Sequence, residues 1–242
     1  MLKKKARLAI FTVGCLACCL LLCNSYKAIA VTEPKPHPLP QSLAQWHSEE
    51  GDYFDKVKIT SVGYLVWWQF PLHIYIDSKI IAKDSAERTR QQQWLNAVEQ
   101  AIAEWNRYLP LEKCDRSIAA DIIISRSSVT RDIRLDPETG LYDIPRAVTA
   151  QTNYQFYITE PEQILSQKMT VKISPDLSAI ATLSAARHEL GHALGIWGHS
   201  ENPEDALYFS QVKDSPAISA KDINTLKKIY QQPTLLGWKV NP

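Results

Sequence analysis

Two histidines four residues apart constrain this chain more than any bulk property. They open the run His188-Glu189-Leu190-Gly191-His192-Ala193-Leu194-Gly195-Ile196-Trp197-Gly198-His199. On a helix advancing 100° per residue, His188 and His192 stand one turn apart on one face, while Leu183, Leu190 and Leu194 gather on the opposite side. One face must therefore pack and the other must present imidazoles. Ala181, Ser184 and Ala185 precede the histidines on the presenting side, so nothing bulky shields that face from a cleft.

A pair of imidazoles at this spacing is suited to zinc, and a tetrahedral ion then lacks a third protein ligand. Gly195 can supply the turn that brings one back. Without a Cβ it can take positive φ just past the helix end, redirecting Ile196 to His199 toward the metal. The fourth position then falls to water, and Glu189, beside the first ligand, is placed to act as general base and then acid. The plainer reading makes both histidines packed core residues, which would put imidazoles opposite the leucine stripe and leave Glu189 without a purpose.

The N-terminus reads as an address. Lys3, Lys4, Lys5 and Arg7 precede an apolar run from Leu8 to Cys23, and Ala28-Ile29-Ala30 has the small-x-small pattern of a signal cleavage site. Residues 1–30 are expected to be an export signal, with an uncleaved membrane anchor or a lipid anchor as the alternatives. Four of the five cysteines, Cys15, Cys18, Cys19 and Cys23, lie inside that run. Only Cys114 remains after cleavage, so the fold has to rest on its core without an internal disulfide. The rest of the chain holds 22 basic against 26 acidic groups, a net −4. It has no basic stripe and no phosphate-cradling glycine loop, which argues against a nucleic-acid partner.

After the signal, the alternate prolines of Pro34, Pro36, Pro38 and Pro40 suggest an extended spacer over residues 31–56, with the main domain at 57–242. Leu72, Ile74 and Ile76 alternate as in a half-buried strand. Trp94, Val98, Ala101, Ile102, Trp105 and Leu109 recur at helical spacing between Ser85 and Leu109. Ile122 to Ile124 fits a strand buried on both faces. Arg146 to Ile158 and Met169 to Ile173 read as two more strands, Ser174-Pro175 as the start of the histidine-bearing helix, and Ser219 with Asp222 as the cap of a last helix. The expected class is α+β, a twisted mixed β-sheet backed by helices.

With these residues in hand, the chain resembles the metzincin zinc peptidases, most closely their matrixin-like branch, whose pattern is His-Glu-x-x-His-x-x-Gly-x-x-His followed by Ser. The resemblance spans roughly residues 65–232. It implies that His188, His192 and His199 bind one zinc ion and that Glu189 is catalytic. Part of Arg146 to Ile158 is then either the edge strand that pairs with an extended peptide or a plain sheet strand. Two departures stand out. His199 comes one residue late, because Gly198 occupies the family's third-histidine position, leaving Glu201, Glu204 and Asp205 as rival ligands. No methionine follows His199, so Leu207 stands where the family's methionine turn should be. Tyr208 is either a stabiliser of the transition state or a buried structural tyrosine. Asp132, Asp136, Glu138 and Asp143, around Pro137 and Gly140, form either a calcium loop or a solvated turn. Cys114 lacks the flanks of the family's latency switch and is expected to be a buried, inert thiol.

The resulting expectation is a secreted or otherwise extracytoplasmic zinc endopeptidase, periplasm or cell envelope included, acting on protein or peptide substrates. The alternative is a zinc-containing, catalytically inactive peptide-binding module on the same fold. Any membrane association would run through an uncleaved signal or a lipid anchor.

Overall fold

A computed structural model describes residues 33–77, 84–129, 134–135, 142–143, 148–210 and 215–240. The expected export signal lies outside the described residues, and among those described no helix is long and apolar enough to cross a membrane. The described residues contain seven strands: β1 Leu72–Asp77, β2 Leu111–Lys113, β3 Ile122–Arg126, β4 Arg134–Leu135, β5 Tyr142–Asp143, β6 Ala150–Thr159 and β7 Ile164–Ile173. Four α-helices accompany them: α1 Gln41–Gln45, α2 Ser85–Trp105, α3 Ala179–Ala193 and α4 Ala220–Tyr230.

Five strands form one mixed sheet in the order β2-β1-β3-β7-β6, in which only the β6–β7 pair is antiparallel. The chain thus has the expected α+β architecture, a mixed sheet with helices packed on it. Register explains the core. Ile74 pairs with Ile122, Ile122 with Met169 and Ile124 with Val171, so one face carries a continuous block of side chains that are wholly out of solvent. Against it pack Trp94, Val98, Ala101, Ile102 and Trp105 of α2, and Ala186, Leu190 and Ala193 of α3. The two helices are also joined by polar contacts. Trp105 Nε1–H donates to the Arg187 carbonyl at 3.0 Å, and the Arg187 guanidinium grips Glu104 at 2.6 and 2.7 Å.

Several expectations shift in detail. In β3 only Ile122 and Ile124 are buried, while Ile123 is half-buried on the outer face. β6 starts at Ala150, with Val148 exposed ahead of it and Arg146 outside the described residues. The helix carrying the histidines opens at Ser178, whose hydroxyl accepts the Ala181 N–H, not at Ser174. Ser174 instead ends the sheet, its N–H donating to the Thr149 carbonyl at 2.8 Å, while its hydroxyl accepts the Asp176 N–H in a turn ahead of the helix. Ser219 and Asp222 do form the full capping box of α4.

The segment expected as a spacer is laid onto the domain. Lys35 and Thr234 exchange both backbone hydrogen bonds at 3.1 Å, and the His37 ring stacks on Trp238. Leu43 is fully buried, and Trp46 Nε1–H donates to Asn224 of α4 at 2.9 Å. Alternate prolines keep this stretch extended, but Lys35 between them retains its N–H and uses it, and His37 bonds through its ring to the Leu236 carbonyl at 2.7 Å.

Candidate metal centre

α3 delivers His188 and His192 one turn apart, with ring centroids 4.7 Å from each other and nearly perpendicular. His188 Nδ1 lies 3.0 Å from the Ala206 carbonyl, and His192 Nδ1 lies 2.7 Å from the Ile196 carbonyl. A carbonyl oxygen can only accept, so each Nδ1 is assigned the proton and each Nε2 a lone pair. Burial pushes the two imidazoles down to about 4 and about 3, which keeps both neutral. The two Nε2 atoms then face one another across 3.1 Å with no proton between them. Opposed lone pairs at that distance repel in a buried setting, and a cation between them removes the repulsion.

The loop after α3 supplies a third imidazole. Gly195 has φ of +127° and follows the C-cap Leu194. Its N–H reaches the His192 carbonyl at 3.0 Å, and the Ile196 N–H reaches the Gly191 carbonyl at 3.0 Å, which together make a Schellman turn. The same turn aims the Ile196 carbonyl back at His192, so the helix stop also orients a ring. His199 then comes to 5.2 Å from the His188 ring and 4.8 Å from that of His192. One nitrogen from each histidine lies within 4.8 Å of the other two. A tetrahedral zinc with bonds of about 2.0–2.1 Å needs nitrogens about 3.4 Å apart, a spacing that the helix pair already meets and that the exposed His199 ring can reach by a small rotation.

Two of the three rival acidic ligands are engaged elsewhere. Asp205 is buried and accepts from the Ser200 hydroxyl and from Asn202, and Glu201 pairs with Lys56 at 3.1 Å. Among the described residues the three histidines are the one group able to hold a metal. Asp132, Asp136, Glu138, Pro137 and Gly140 lie outside the described residues, and of Asp143 only the backbone, in β5, is described. Nothing supports calcium.

Glu189, one residue past the first ligand, is buried, and burial raises its carboxyl to about 7 against the lowering effect of a hydrogen bond from Thr152. The Thr152 hydroxyl sits 2.7 Å from Glu189 Oε2 and 3.0 Å from the Glu189 carbonyl. Leu207 is fully buried, with its methyl groups in the space that a side chain at position 191 would occupy, between the two helical histidines. Its turn is held by Asp222, which accepts the N–H groups of Ala206 at 2.9 Å and Leu207 at 3.4 Å while also capping α4. Tyr208 leans on Phe209 with centroids 4.6 Å apart, and no hydrogen bond or ring contact among the described residues joins it to the histidines. It is half-buried, short of the buried structural residue that was the alternative. Cys114 is likewise half-buried, its thiol directed at the Arg116 carbonyl, because it follows the short outer strand β2.

Thr152, the Ser200–Asp205 pair and the Arg187–Glu104 pair behind the helix are site residues that no sequence pattern singled out. Thr152 lies on the inward side of β6, and alternation along a strand marks such burial but says nothing of a partner on a distant helix. Trp197 belongs with these residues: its ring lies 5.6 Å from His192 and 5.0 Å from Tyr154 of β6, closing one side of the centre.

No curated protein matches the chain. The model of the matrixin peptidase family does match, over residues 76–231. That span runs from the end of β1 through α4 and takes in all three clustered histidines, Glu189, Thr152 and the Leu207 turn. The chain belongs to the matrixins, a family of zinc metallopeptidases.

Proposed function

We propose that this matrixin is an exported zinc endopeptidase in which His188, His192 and His199 hold the ion and Glu189 moves the proton. The observation that carries the reading is the pair of neutral Nε2 atoms confronting each other at 3.1 Å, with a third imidazole beside them and a buried carboxylate next to the first ligand in the chain. Bound zinc supplies a Lewis acid that lowers the pKa of a water molecule from 15.7 to about 7 and polarises a carbonyl.

The chain's own residues do the rest. Thr152 occupies Oε2 of Glu189, which leaves Oε1 to take a proton from the attacking water and return it to the leaving amine. The carbonyl partners of His188 and His192 hold both rings with Nε2 forward. Leu207 serves as the apolar floor in place of the methionine turn. β6 is an outer strand of the five-stranded sheet, and its outer edge, unpaired among the described residues, offers main-chain groups to an extended peptide. Residues 1–30 act as the export signal.

Zinc content and digestion of a casein-type substrate, with and without chelator, test the proposal. Glu189→Ala should keep stoichiometric zinc and lose about 10²–10⁴-fold in rate. A wild-type rate in that variant removes Glu189 from the mechanism. A wild-type protein that holds zinc yet cleaves nothing in a broad peptide library is instead the inactive binding module.

A further inference from the structure

The late arrival of the third histidine has a structural cause outside the family-matched span of residues 76–231. Gly198, standing where the family pattern sets a histidine, is buried, and a Cβ there would run into the Lys56 carbonyl oxygen and the Val57 backbone. No side chain fits at that position, imidazole included. The residue before it is tied to the same segment, since the Lys58 N–H donates to the Trp197 carbonyl at 2.9 Å. The residue after the histidine is tied from the other side. Ser200 N–H donates to the Leu207 carbonyl at 2.8 Å, and Phe209 N–H donates to the Ser200 carbonyl at 3.2 Å. His199 is thus the one link of the loop lying between an outer anchor at 56–58 and an inner anchor at 207–209.

The outer anchor is itself well fixed. Lys56 and Val57 close a 3₁₀ turn by donating to the carbonyls of Tyr53 and Phe54, both at 3.0 Å. The Tyr53 N–H donates to the Thr225 hydroxyl of α4 at 3.0 Å, and the Phe54 ring stacks on Tyr64 at 5.4 Å. The Lys56–Glu201 ion pair adds little, because both side chains are largely in solvent.

We propose that the backbone of Lys56 to Lys58 is the positioning element for His199, so that metal affinity in this matrixin depends on an N-terminal segment that its family's pattern does not include. The proposal rests on the assignment of the three histidines as ligands. It accounts for the extra residue: with position 198 pressed against the segment, the loop needs one more residue to bring an imidazole round to the helix pair. One residue adds at most about 3.6 Å of reach.

The test compares backbone with side chain at one position, using the full chain. Lys58→Pro deletes the N–H donor, and Val57, at φ −80° and ψ 126°, already has the extended conformation that a following proline requires. Lys58→Ala keeps the donor and removes only the ammonium. Gly198→Ala forces the loop off the segment. Zinc affinity is read by competition with a chromophoric chelator, the ligand set by the visible absorption of the cobalt(II)-substituted protein, and folding by thermal unfolding of the metal-free form. Lys58→Pro and Gly198→Ala should bind zinc about 10–100-fold more weakly and show weakened cobalt bands, while still unfolding cooperatively. Lys58→Ala should match the wild type. The proposal is overturned if the first two bind like the wild type, if Lys58→Ala is as weak as Lys58→Pro, or if affinity falls only where cooperative unfolding is lost. Failure of the underlying ligand assignment looks different: His199→Ala then binds zinc as tightly as the unaltered chain does.

Discussion

On α3, His192 is buried and His188 half-buried, and each ring is fixed through Nδ1 to a backbone carbonyl; on the loop that follows, His199 is exposed and no such bond holds its ring among the described residues. The helical pair is placed by geometry that four residues of sequence already contain. The loop ligand is placed by chain that comes from about 140 residues earlier and from the turn at Leu207. A metal centre assembled this way has a preformed half and an adjustable half, and substitutions in the two should have different signatures.

The largest effect is expected from the ligands themselves. His192→Ala should abolish stoichiometric zinc, because the remaining imidazoles no longer include the closely spaced pair. His199→Ala should retain zinc with much weakened affinity, since the preformed pair survives. Metal content after dialysis, measured on both variants, checks this ordering, and equal retention would show that the two halves are held alike.

A second contrast concerns stability. Leu207→Ala empties the space beneath the helical half at Gly191, and a fully buried leucine removed from a packed site costs about 2–5 kcal/mol. Leu207→Met, close to volume-conserving, should cost less than about 1.5 kcal/mol and leave zinc binding unchanged. Denaturant unfolding of the metal-free proteins separates the two. A large loss from the methionine variant would mean that the turn has been reshaped around leucine and is no simple replacement.

The same division governs what could be read from the sequence. His188, Glu189 and His192 were legible because a helix turns a four-residue spacing into a shared face. Gly195 was legible because positive φ at a helix end has a residue preference, and the Ser219–Asp222 box because both partners lie within one turn. Met169, Val171 and Ile173 announced a buried strand by alternation. The Ser178 cap was missed because Ser174-Pro175 offers the same local chemistry, and in the fold the Ser174 hydroxyl closes a turn on Asp176 ahead of the helix. The docking of residues 33–56 was missed because proline spacing reports extension and is silent about what an extended segment lies against. Thr152 meets Glu189, and Lys58 meets Trp197, across separations for which no local pattern exists.

The smallest of the expected effects bears on the adjustable half directly. Ser200 follows His199, and its hydroxyl donates to the buried Asp205 carboxylate, which also takes a weaker bond from Asn202. Ser200→Ala removes a hydrogen bond to a charged, buried acceptor, which costs about 1–3 kcal/mol. If this contact helps to hold the loop, zinc affinity should fall by about tenfold in the same variant, as it does when a ligand loses its support. Leu207→Met should move neither quantity much, so the pair of variants calibrates the measurement. A Ser200→Ala protein that loses stability but binds zinc as tightly as before would show that the ion, once bound, orders the loop by itself, and that the contacts around His199 serve the fold more than the metal.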